Sequence, residues 1–213
     1  MTTWHSILVY EEHYFNNFLE LIKSTIKEEK KRFDKICKNF EKKKENMSVD
    51  ELNWNEDLLS DLGFEFSETE QLLYRSLVIS IFIFIEAQIF ALCKHIYRTK
   101  EQIFGVEDLK GQGVIKGIKY LEKILNEKFM KERNIENDFN AARIIRNSLV
   151  HNVARVDSNN KKFILKYIQN HPNSVSLNGD EIILNKRYAE ELISLNVKIC
   201  KIISNNSEIL GRS

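Results

Sequence analysis

Apolar side chains recur at Phe15, Phe18, Leu19, Ile22, Ile26, Phe33, Ile36, Cys37 and Phe40, in steps of three and four that gather them on one face of a helix. The spacing predicts a long amphipathic helix over roughly residues 8–45. A second run, Leu77 to Cys93, is apolar at almost every position and predicts a central helix buried on nearly all sides. Ser67-Glu-Thr-Glu70 stands before it with capping-box spacing, so this helix is expected to start at Ser67 and to run to about Arg98.

Past Gly105, Gly111 and Gly113, the positions Ile115, Ile118, Leu121, Ile124 and Leu125 predict a shorter helix, and another is expected from Asn137 to Asn152. The period then changes. Lys162-Phe-Ile-Leu-Lys-Tyr-Ile168 is β-prone, and Asn178-Gly179 sits between two apolar runs within residues 174–184, a strong hairpin signal. Tyr188, Leu192, Leu195, Ile199 and Ile203 predict a last helix ending near Asn206. The expected fold is therefore all-α: an antiparallel helical bundle with a long N-terminal helix and a small β-hairpin before the last helix. Residues 1–66 read as a helical extension and 67–213 as the main domain, unless the two form one continuous compact unit.

With 213 residues, 43% hydrophobic and 10% aromatic, the chain can bury a real core. One proline and seven glycines leave few breaks in long helices. The net charge of +1 excludes a strong overall field for nucleic acid, so contact with RNA would need a local patch. Charge is nevertheless uneven along the chain. Lys23 to Lys44 holds ten Lys or Arg against four acids, while Asp50 to Glu70 holds eight acids and no base. These are either two solvated faces that attract each other or a basic arm that steers RNA.

Cys37, Cys93 and Cys200 are odd in number and widely spaced, which reads as buried thiols in a reducing compartment. The N-terminus lacks a basic stretch followed by a cleavable apolar core, and a cytoplasmic protein is expected. The run Leu77 to Cys93 is short for a membrane span and carries Glu86 and Gln88, so a soluble core helix is expected rather than a membrane segment.

The chemistry concentrates in Phe139-Asn-Ala-Ala-Arg-Ile-Ile-Arg-Asn-Ser-Leu-Val-His-Asn152. At about 100° per residue, with Arg143 at zero, Asn147 falls near 40°, His151 near 80° and Arg146 near −60°. The polar groups share one arc, with Ala142, Ile145 and Leu149 on the other side. A guanidinium that binds two phosphate oxygens, an imidazole that trades protons near neutrality and an amide between them suit phosphodiester cleavage. The same residues would also serve as a buried polar cluster that fixes helix packing. Glu86, inside the most apolar helix, needs a partner if it is buried, and the stripe of Arg143, Arg146 and His151 is one counterpart.

Arg146-Asn147-x-x-x-His151 resembles the Arg-x4-6-His motif of HEPN-domain proteins, and the order of helices over roughly residues 67–206 resembles their bundle. The resemblance implies a metal-independent endoribonuclease with Arg146, His151 and Asn147 as catalytic residues, supported by Arg143, Glu86 and Asn152. It further implies a homodimer in which two motif helices line one cleft, supplying a second histidine, and products with 2′,3′-cyclic phosphate ends. A toxin or antiphage-defence role follows from the family alone, as does a possible antitoxin or partner protein. Some HEPN toxins carry a tyrosine two residues after the histidine that a partner enzyme modifies; Val153 stands here, so that regulation does not carry over. The alternative is a non-catalytic HEPN-like domain that binds nucleotide or RNA, or acts as a protein adaptor. No cofactor or metal is implied: the glycines at 111–117 form no phosphate-binding loop, and His5, His13, His95 and His171 lack zinc-ligand spacing.

Overall fold

A stretch free of proline, with apolar residues on one face, forms α1 (Trp4–Lys43); a single 3-10 turn (Lys44–Asn46) then reverses the chain into α2 (Val49–Thr99), 51 residues long. The computed structural model describes residues 4–126, 128 and 133–204. The start of α2 corrects the expectation of a helix beginning at Ser67. The capping box is Ser48-x-x-Glu51: the Ser48 hydroxyl accepts from the Glu51 amide, and the Glu51 carboxylate accepts from the Ser48 amide. Nothing between Leu52 and Phe66 breaks the backbone, so the Ser67 spacing lies mid-helix. The division at 66/67 likewise falls inside α2.

After a 3-10 turn at Val106–Asp108 come α3 (Gly113–Leu125), α4 (Arg133–His151) and α5 (Ser158–Asn170). The hairpin β1 (Val175–Asn178) and β2 (Glu181–Leu184) and the last helix α6 (Lys186–Ser204) complete the described chain. The expected end near Asn206 lies outside the described residues. The β-prone segment 162–168 is helical, a second correction. Asp157 caps α5 by accepting from the Asn159 and Asn160 amides, and Ile164 and Tyr167, three apart, are its buried side chains. Helical burial outweighs β propensity there. The hairpin forms as expected, with antiparallel pairs from Val175–Leu184 to Asn178–Glu181. Gly179 at φ +63° supplies the turn's left-handed residue.

α2 is the axis of the molecule. Its Tyr74, Leu77, Val78, Ile81, Phe82 and Ile85 are buried, packed against α1, α3, α4 and α6. Gln71, buried in α2, accepts from the Leu184 amide at 2.8 Å and donates to the Leu184 carbonyl at 2.9 Å; it pins β2 as a further strand would. Arg75 adds an ion pair to Glu181 at 2.7 Å. The expectation of burial on nearly all sides holds only in part: Ile83 is 57% exposed, and Ala87 and Ala91 are open as well. By length and composition α2 could cross a membrane, but 44% of its most apolar window is buried inside the protein. Cys93 and Cys200 are buried and Cys37 only half-buried; burial pushes the Cys93 thiol up to about 12.

Candidate active site

α4 is amphipathic in the expected sense. Ala141, Ala142, Ile145 and Ser148 are buried, and Phe139 stacks on Phe82 of α2 at 6.0 Å. Arg143, Arg146 and Asn147 are half-buried on the other side, while His151 and Asn152 are exposed at the C-terminal end. Leu149, expected on the apolar side, is half-buried.

Within the stripe, Arg146 Nη1 donates to Asn147 Oδ1 at 3.1 Å, so the amide orients the guanidinium rather than the imidazole. The Nε atoms of Arg143 and Arg146 are buried without a hydrogen-bond partner. Among the described residues no carboxylate forms an ion pair with either arginine. Two guanidiniums one turn apart, partly withdrawn from water and without a counter-ion among the described residues, favour a bound anion. A doubly oxygenated group such as phosphate could take two donors from each.

His151 is the last residue of α4, and a local device fixes the chain beyond it. The Ser148 carbonyl accepts from the amides of both Asn152 and Ala154. Val153 and Ala154 then take left-handed conformations, φ +50° and +62°, which are costly for a β-branched residue. Backbone bonds from Ile182 N to Ala154 O and from Val156 N to Asp180 O stitch this turn to the hairpin. The hairpin thus anchors the end of the motif helix.

Glu86 approaches the start of α3. Its carboxylate oxygens are 3.7 Å from the place a β-carbon would occupy on Gly113, at the N-terminus of α3, which has no acid in its own first turn. There the carboxylate complements the helix dipole. No ion pair or hydrogen bond joins it to the arginine stripe among the described residues.

A second polar cluster escaped the sequence reading. His171, at the end of α5, sets Nε2 3.4 Å from Asp138 of α4 and Nδ1 3.3 Å from Glu191 of α6, and it stacks on Tyr167 at 4.2 Å. Beside them lies a cavity of about 270 Å3 that Tyr188 and Lys198 also line. The Tyr188 hydroxyl is buried with no hydrogen-bond partner. Burial, with Asp138 and Glu191 adding to it, raises Tyr167; burial, with Tyr167 and Glu191 adding to it, raises Tyr188, so both phenols stay protonated donors. No spacing in the sequence links Asp138, His171 and Glu191; three helices bring them together. No protein-family model, curated protein or solved structure matches this chain.

Proposed function

We propose that the protein is a metal-independent endoribonuclease of HEPN type, working as a homodimer in the cytoplasm, with a toxin or antiphage role that rests on the family resemblance alone. The observation that carries this reading is the pair Arg143 and Arg146, half-buried and without carboxylate partners among the described residues, one to two turns before an exposed imidazole on the same helix. In this reading the guanidiniums hold the phosphate and stabilise the charge that grows on its oxygens. His151 removes the ribose 2′-OH proton, and the 2′-oxygen attacks phosphorus. The 5′-oxygen leaves with a proton from the partner's His151. The products carry a 2′,3′-cyclic phosphate and a 5′-hydroxyl.

One observation favours the second reading, a non-catalytic domain that binds RNA or nucleotide: no hydrogen bond orients His151 among the described residues. The two separate in one experiment. Mixed RNA is incubated with the wild type and with His151→Ala, with and without EDTA, and the fragment ends are read. Cleavage to cyclic phosphates that persists in EDTA, and drops at least a hundredfold in the variant, is expected from losing an acid–base group. RNA that is bound but left intact supports the binding domain. Full cleavage by the variant overturns the catalytic assignment. Arg146→Ala should weaken RNA binding in either reading.

A further inference from the structure

The two long helices form a layer that is covered on one side where α6 packs and on neither side beyond it. On one face α6 packs along α1 and α2, whose Leu19, Ile22 and Tyr74 are buried, and the Lys23–Glu190 ion pair closes the edge. The opposite face is bare. At about 100° per residue, Tyr14, Leu21 and Ile36 of α1 and Trp54, Leu72 and Ile83 of α2 all point to that bare side, each between 44% and 67% exposed. A groove of about 410 Å3 runs between the helices there, walled by Phe33, Leu62 and Phe66 together with Glu65 and the Glu29–Arg32 ion pair. The far half of the layer is thinly held: between Lys23 and Glu70, Phe40 is the one buried side chain. Phe64 and Val49 point away from this side, but most of the exposed large apolar side chains of the two helices share it, and exposed apolar surface on this scale marks an interface.

Charge identifies what covers it. By the same helical spacing, Lys31, Lys35, Lys38 and Lys42 line the outer edge of α1, and Asp50, Asp57, Asp61 and Glu68 the outer edge of α2. None of the eight forms an ion pair among the described residues; in this stretch the link between the arms is Lys44–Glu56. We infer that the bare face is covered by the same face of a second copy of this chain. A two-fold axis along the layer sets each α1 antiparallel across the partner's α2, making a four-helix bundle. Both apolar faces become its core, and each basic edge meets an acidic one. A lone chain places its basic and acidic edges on opposite sides of the layer, which is why it leaves them unpaired.

This inference does not depend on the ribonuclease reading, because the arginine stripe is on α4. A chain that used both surfaces would assemble beyond the dimer. Sedimentation of the full chain should show self-association up to about 50 µM, a range in which interfaces of standard size are populated. Leu72→Glu with Ile83→Glu, both exposed in the monomer, should halve that mass and leave helicity unchanged. As a second arm, the four lysines are changed to Glu in one variant and the four acids to Lys in another. Each should lose the interface alone, and an equimolar mixture should regain it, since both cross-contacts are then complementary. A wild type that stays monomeric overturns the inference, as does an apolar-face variant that keeps the wild-type mass. So does a lysine variant that loses RNA binding but not self-association, which would assign the basic edge to nucleic acid instead.

Discussion

Gly117 leaves no space between α3 and α2: a β-carbon there would stand 2.4 Å from Ile89 Cγ2, and its carbonyl accepts from the Cys93 thiol at 3.5 Å. The obstructing methyl is carried directly on a branched β-carbon, so it cannot swing clear by itself. Overpacking of this kind costs about 1–3 kcal/mol, and alanine's better helix propensity returns about 1. A net loss of up to about 2 kcal/mol is therefore expected for Gly117→Ala in urea unfolding; a gain in stability would mean that α3 slides freely on α2. The glycine is plain in the sequence, but its reason is not, because Ile89 is 28 positions away. The arginine stripe divides in the same way. Helical spacing alone places Arg143, Arg146, Asn147 and His151 on one arc. That the two guanidiniums are half-buried, and that Glu86 reaches Gly113 and forms no ion pair with them among the described residues, depends on where α2 and α3 lie.

Elements whose signals are local were legible, and those decided by competition were not. The Asn178-Gly179 turn and the spacing of α1, α3, α4 and α6 could be read because each element carries its own pattern. Segment 162–168 could not: its composition is β-prone, and its helix depends on the Asp157 cap and on burial of Ile164 and Tyr167. The cap has a pH signature. Hydrogen bonds from the Asn160 side chain and amide, with the Asn159 amide, hold the Asp157 carboxyl below its ordinary value of 3.8. A carboxyl lowered on folding stabilises the fold fully above its unfolded value and ceases to do so as pH falls through the lower folded one. The melting-temperature gap between wild type and Asp157→Ala should therefore be constant near neutrality and shrink below about pH 4. A gap unchanged down to about pH 2 would remove the carboxylate from the capping role.

On the scale of the whole molecule, stability is unevenly spread. Amide exchange should be slowest across residues 74–96 of α2, where buried side chains crowd, and faster in the stretch from Lys27 to Glu68, where only Phe40 is buried. If two copies join through the bare face, exchange across 52–66 should slow as concentration rises. Exchange there as slow as in the core, at every dilution, would contradict the uneven packing. The sequence by itself determined that the chain is mostly helical, that a hairpin precedes the last helix, and that one helix carries two arginines, an amide and a histidine on one arc. These are local properties, set by side-chain period, turn chemistry and the absence of prolines. Tertiary structure decided which side of α2 is left open, where Glu86 lies, and that Asp138, His171 and Glu191 meet. Each of those depends on distances between elements far apart in the chain, and residue spacing carries no record of them.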